Sequence, residues 1–269
     1  MRTLSPGELS KSLAGKSIFI ATPMYGGLCY GVYADALLRM VLALTKIGVP
    51  TYYCILYNES HIDRARNVLV DKFLRSPCSH MLFIDSDLSG FEAHHIIDLL
   101  DRDKSIICGF YPKKEIDWAL VRDAAKAGLA DKDPNYLEKC VGKMVYTPAQ
   151  GADSARRRSI YELVPLHEGG TGFMLVKRSV FEIIRSKWPE LTYGPEGERV
   201  TAFFDAKVEP GGIPPRRFLT EDYDFCRLCR AAGYTVWLAP WINLTHSGCY
   251  QFHGDVEALA LAKETENAA

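Results

Sequence analysis

Short apolar runs alternate with amphipathic stretches along most of this chain, a pattern that predicts a parallel α/β sheet. Ile18 to Ala21 reads as a first buried strand. From Tyr33 to Ile47 the apolar residues Ala36, Leu37, Met40, Val41 and Leu44 recur at helical spacing, and Gly48 closes the helix. Val49 to Leu56, rich in tyrosine and β-branched residues, reads as the second strand. A helix follows from Ile62 to Leu74, with Ile62, Ala65, Leu69 and Phe73 on its buried face. Met81 to Ile84 predicts a third strand. Ser89 to Glu92 matches a capping box, so a helix is expected from Gly90 to about Leu100. Ser105 to Gly109 is the next strand, after which the pattern weakens. Order returns with a strand over Phe173 to Val176, a helix over Arg178 to Lys187 and a short strand over Ala202 to Asp205. A helix over Glu221 to Ala232 and a strand over Thr235 to Leu238 complete the series.

Composition narrows the function classes. The chain has 269 residues, 48% hydrophobic and 24% charged, which suits a globular protein with a full core. A net charge of −1 gives no support for broad electrostatic binding to nucleic acid or anionic membrane. No run reaches transmembrane length, and the first apolar segment is too short for a secretory signal. Eight cysteines are scattered through apolar segments, which predicts reduced thiols in a cytoplasmic protein. Cys226 and Cys229 form a CxxC without a second pair, inside a predicted helix, and read as buried structural thiols.

The candidate chemistry gathers at strand ends. Asp85-Ser86-Asp87 follows the apolar run Met81 to Ile84, at the edge where open α/β sheets bind ligands. If strand pairing persists through Asp87, both aspartates face one side, two negative charges that a divalent cation on a substrate diphosphate would offset. The plainer alternative is a turn with a helix cap. Thr22-Pro23-Met24-Tyr25-Gly26-Gly27 forms a loop after the first strand, suited to close approach of a nucleotide base. Arg64 and Asn67 are neighbours on a helix surface, able to reach one ligand or simply to face solvent. Lys113 and Lys114 follow another strand end. The glycines of Glu168-Gly169-Gly170-Thr171-Gly172 either let backbone amides approach a ligand or make a β-bulge. Thr220 reads as an N-cap, and helix capping alone accounts for Glu221 and Asp222. His246 precedes Gly248, while His94 and His95, adjacent in a helix, read as structural.

Taken together, the Ile62 to Asn67 helix, Asp85-Ser86-Asp87, Gly170-Thr171-Gly172-Phe173, Glu221-Asp222 and His246 resemble the GT-A fold family of nucleotide-sugar-dependent glycosyltransferases. The resemblance spans Ile18 to about Gly254. It implies a single-domain, GT-A-like (Rossmann-like) α/β fold with a mixed, mainly parallel central sheet flanked by helices. Residues 1–15 would be a peripheral segment, 16–254 the glycosyltransferase domain with an acceptor-side insertion at 115–167, and 255–269 a tail. It further implies Mn2+ or Mg2+ held by Asp85, Asp87 and His246 on the diphosphate of a nucleoside-diphosphate sugar. Thr22, Pro23, Tyr25, Arg64, Asn67, Asp85, Ser86, Lys113, Gly170, Thr171 and Gly172 would line the donor site. Asp222 would be the catalytic base of an inverting transfer and Glu221 would orient hydroxyls, with a glycan, lipid-linked or protein acceptor. Two rivals remain. A nucleotidyltransferase would carry a lysine in the glycine loop after the first strand, which Thr22 to Gly27 lacks. A non-catalytic carbohydrate- or nucleotide-binding module leaves the paired acids unexplained.

Overall fold

A computed structural model describes residues 6–151, 161–194, 199–211 and 213–250. After the peripheral helix α1 (Pro6–Leu13), the chain alternates as the periodicity requires: β1 (Ile18–Met24), α2 (Gly31–Lys46), β2 (Thr51–Tyr57), α3 (Ile62–Arg75) and β3 (His80–Ile84). A two-residue strand β4 (Leu88–Ser89), α4 (Ala93–Arg102), β5 (Ile106–Phe110) and α5 (Trp118–Lys126) follow. Then come β6 (Tyr146–Pro148), β7 (Val164–Gly169), β8 (Phe173–Lys177) and α6 (Arg178–Lys187). Short strands β9 (Thr192–Tyr193), β10 (Val200–Thr201), β11 (Lys207–Val208) and β12 (Phe218–Leu219) lead into α7 (Glu221–Ala231), β13 (Val236–Asn243) and β14 (Thr245–His246).

The central sheet has eight strands in the order β2-β1-β3-β8-β5-β13-β7-β6. The β2–β1, β1–β3 and β5–β13 pairs are parallel, whereas β8 runs antiparallel between β3 and β5. Most strands therefore point one way, giving a single α/β domain with a mainly parallel sheet between helices. Parity along β3 assigns its side chains to two core layers: Met81 and Phe83 pack with α3, α6 and α7, while Leu82 and Ile84 pack with α2 and α4. Among the described residues no helix is long and apolar enough to cross a membrane.

Two strands run longer than expected, β1 continuing in register with β2 through Thr22-Pro23-Met24, read as loop, and β13 reaching Asn243; three further elements differ for local reasons. Ser89 lies in β4, paired with Thr245, and Gly90 takes φ +82, so α4 starts three residues later than predicted. Its capping box is Glu92 with His95, not Ser89 with Glu92. Burial holds the His95 imidazole down at about 4, leaving it neutral to accept from the Glu92 amide. Second, Ala202 to Asp205 is not a strand. The Asn67 amide bonds both the carbonyl and the N–H of Phe204, at 2.9 Å each, replacing a ladder there and pinning buried Phe203 and Phe204 under the sheet. Third, the stretch read as an insertion supplies β6 and β7, which extend the sheet beyond β13. Arg156 to Arg158 and the 255–269 tail lie outside the described residues.

Candidate functional site

The carboxyl ends of β1 and β3 open on a cleft of about 220 Å³ lined by Pro23, Tyr25, Glu59, Ser60, Asp85, Ser86 and Asp87. Strand β3 stops at Ile84, and Asp85 to Leu88 makes a turn closed by the Leu88 amide on the Asp85 carbonyl at 3.1 Å. Period-two alternation therefore ends before Asp87, and the two aspartates take different surroundings instead of crowding together.

Asp85 keeps the parity of Phe83 and faces α3. There Arg66, buried at 4% exposure, donates from Nη1 and Nη2 to its two carboxylate oxygens at 3.1 and 3.2 Å. The same guanidinium donates from Nε to Glu221 Oε1 at 3.4 Å. A single buried cation thus joins the end of β3 to the start of α7. Burial opposes its charge, but Asp85 and Glu221 outweigh that and raise its pKa. Both Asp85 oxygens accept from Arg66, so any cation held by Asp85 would share that carboxylate with the guanidinium. Sequence reasoning passed over Arg66 in favour of Arg64. The signal was present: Arg66 stands three residues before Leu69 and four before Val70, both fully buried, a charge set on the apolar stripe, whereas Ile62, read on that face, is 41% exposed. Arg64 is exposed and holds Glu59 at the rim of the cleft, at 2.5 and 2.9 Å.

Asp87 turns the other way. Lys114 bonds its Oδ2, and His246 Nε2 stands 3.4 Å from its Oδ1, too long for a well-formed hydrogen bond. Oδ1 is otherwise buried without a donor. His246 Nδ1 lies 2.9 Å from the Pro112 carbonyl, which can only accept, so Nδ1 carries a proton and Nε2 is the nitrogen turned toward Oδ1. Burial raises the Asp87 carboxyl, yet His246 and Lys114 together hold it at about 2. The β4–β14 ribbon, with His246 opposite Leu88, and the Ser247 amide on the Asp87 carbonyl fix this geometry. Lys114, not Lys113, reaches the carboxylate; Lys113 is exposed and its amide pairs with Lys143.

Gly170-Thr171-Gly172 supports the site from below. The Gly172 carbonyl accepts from the Asp85 amide, and its amide donates to the Tyr111 hydroxyl, each at 2.9 Å. A Cβ on Gly172 would come within 2.8 Å of that hydroxyl and 3.0 Å of Asp85 Oδ2; on Gly170 it would lie 2.1 Å from the hydroxyl. The glycines therefore admit the buried Tyr111 ring, which stands edge-on to His246 at 5.6 Å. Thr171 is fully buried and its Oγ1 has no partner.

Asp222 lies in the first turn of α7. Its Oδ1 accepts from the Thr220 hydroxyl and from the Tyr223 amide at 2.9 Å. Burial first, then the neighbouring Glu221 charge, pushes its carboxyl up from 3.8 to about 6. Thr22 and Asn67 sit inside the fold: Thr22 Oγ1 meets the Tyr33 hydroxyl at 2.6 Å, and Asn67 holds Phe204. Pro23 and Tyr25 do line the cleft. Among the described residues no three His, Cys, Asp or Glu side chains converge as a metal cluster; Asp87 and His246 are a pair. A larger groove of about 690 Å³ between α2 and α4 is separated from Asp87 by the β4–β14 ribbon. Its polar residues include an ion pair, Arg39 with Asp35, and His94 Nδ1 stands 2.9 Å from Glu92.

No protein-family model matches the chain, and no curated protein sequence matches it either. Solved structures that align with it include A197 from STIV, 12% identical with a TM-score of 0.43 over 89% of this chain and 98% of that one. GalNAc-T7, solved with UDP, GalNAc and Mn2+, is 9% identical with a TM-score of 0.48 over 90% of this chain and 45% of that one. Glucosyl-3-phosphoglycerate synthase from Mycobacterium tuberculosis, solved with Mn2+ and UDP-glucose, is 12% identical with a TM-score of 0.37 over 100% and 82%.

Proposed function

We propose that this chain is a metal-dependent glycosyltransferase of the GT-A kind, moving a sugar from a nucleoside-diphosphate donor to an acceptor hydroxyl. The observation that carries the reading is a buried Asp87 Oδ1 without a hydrogen-bond donor, with His246 Nε2 3.4 Å from it at the mouth of the cleft. With the imidazole neutral, Oδ1 and Nε2 would be two facing acceptors that a cation satisfies, and one carboxylate with one imidazole suits Mn2+ when substrate oxygens complete the shell. Proton donation from Nδ1 to a backbone carbonyl is how metal-binding histidines are usually oriented. A bound divalent ion would neutralise charge on the departing diphosphate.

The remaining roles belong to side chains. Lys114 stands beside Asp87 with an ammonium suited to a phosphate oxygen. Pro23 and Tyr25 form the wall available to the nucleoside. Arg66 fixes the position of Asp85, so Asp85 shapes the floor while Asp87 binds the ion. Asp222 takes the proton of the acceptor hydroxyl on Oδ2, since Oδ1 is held by Thr220 and Tyr223, and its raised pKa places it near neutral pH for that task. Glu221, held through Oε1 by Arg66, offers Oε2 to a sugar hydroxyl. The outcome would be inversion.

Titration calorimetry with a panel of nucleoside-diphosphate sugars, with and without Mn2+, tests the reading. Binding should require Mn2+, and Asp87→Ala should abolish that requirement together with the binding. Donor binding indifferent to Mn2+ in the wild type, or unchanged in Asp87→Ala, would refute the metal assignment.

A further inference from the structure

The two edges of the eight-stranded sheet are built differently. At one end β6 has three residues, closes on Pro148 and carries a register shift against β7, all of which discourage further pairing. At the other end β2, Thr51 to Tyr57, runs seven residues in unbroken register with β1 and contains neither a charge nor a proline. Its outer side has no strand neighbour among the described residues, although Tyr52, Tyr53 and Tyr57 are 47%, 67% and 54% exposed. The helix above this edge, α2, adds Leu38 and Leu42 at 60% and 61%, and Ile47 beyond its end. An uncharged, aromatic, open edge strand is a template for pairing, and natural proteins leave one bare only at a cost in solubility.

We propose that a second copy of this chain covers the β2 edge, the two β2 strands pairing antiparallel about a two-fold axis normal to the sheet. The strand is compatible with its own copy. Pairing centred on Cys54 sets Tyr53 opposite the other copy's Ile55 and Tyr52 opposite its Leu56, aromatic against aliphatic, with no like charges facing. The same axis lays α2 beside α2 of the other copy and brings the Leu38 and Leu42 ridges to the interface. Those six exposed side chains offer roughly 600 Å² at about 200 Å² for a full side chain. Backbone and neighbouring polar atoms would bring this toward the ~800 Å² per partner of a stable interface. Antiparallel edges point the two ligand clefts in opposite directions, so neither copy contributes to the other's site. The proposal stands independently of the glycosyltransferase reading.

Sedimentation equilibrium of the full chain across a hundredfold dilution tests it. The wild type should show twice the 30.1 kDa chain mass, dissociating on dilution. Tyr52→Lys combined with Tyr53→Lys should reduce the mass to that of one chain, with an unchanged circular dichroism melt, whereas Leu120→Lys on α5 should leave the dimer intact. If the double variant fails to fold, hydrogen exchange on the wild type decides: the amides of residues 51–57 should lose protection as the protein is diluted. A single-chain mass for the wild type at every concentration, a double variant that still dimerises, or β2 protection indifferent to dilution would each overturn the proposal. Protection of β2 in a monomer would mean that the chain covers its own edge.

Discussion

Replacing Asp222 by Asn separates the catalytic claim from the structural one, because the two predict opposite signs. The substitution keeps an Oδ1 acceptor for Thr220 and the Tyr223 amide and removes the charge. In the wild type burial and Glu221 raise the carboxyl from 3.8 to about 6. The folded protein therefore holds a proton there that the unfolded chain has released between those values. A raised carboxyl contributes stability that is fully present below pH ~4 and is lost as pH rises through about 6. At about 1.4 kcal/mol per pH unit, the charged Asp222 costs the fold on the order of 3 kcal/mol at neutral pH. Asn does not titrate, so Asp222→Asn should be more stable than wild type by about 1–3 kcal/mol at pH 7.5 in urea unfolding. The difference should shrink toward zero by pH 4. Sugar transfer, followed as nucleoside diphosphate release, should fall by about 10²–10⁴-fold with donor affinity unchanged. A variant no more stable than wild type at pH 7.5 would refute the burial argument; near-normal transfer would refute the base assignment.

Two further outcomes follow from contacts at the same edge. Arg66→Met removes the cation shared by Asp85 and Glu221 and should destabilise by about 3–5 kcal/mol, because two partly buried carboxylates lose their partner. Adding Glu221→Gln should recover part of that loss in a double-mutant cycle, and strict additivity would show that the pair is not coupled. Gly170→Ala drives a methyl to 2.1 Å from the Tyr111 hydroxyl and should cost about 1–3 kcal/mol in thermal or urea melts, with Tyr111→Phe in the same chain relieving part of it. An alanine tolerated without loss would mean that Tyr111 moves freely, contrary to its burial.

Much of this molecule is legible residue by residue. The helix over Ile62 to Arg75 and the strands at Ile18, Met81 and Phe173 follow from periodicity alone, since each buries its stripe wherever its neighbours lie. Arg66 was legible too, as a charge on an apolar stripe, but naming its partners required knowing which strand end faces α3. Asn67 illustrates the opposite case. As an isolated residue it suggests a surface ligand, whereas its two bonds to Phe204 span 137 positions of sequence.

The apolar and polar order of the chain by itself determined the α/β alternation, the strand that leads into Asp85 and Asp87 and the acidic opening of α7, because these depend on local spacing and on burying apolar surface. Tertiary structure alone decided that the two aspartates part company. A turn that ends β3 at Ile84 sends Asp85 to a buried arginine and Asp87 toward a histidine 159 positions later, and no local pattern encodes which charge a side chain meets across the fold.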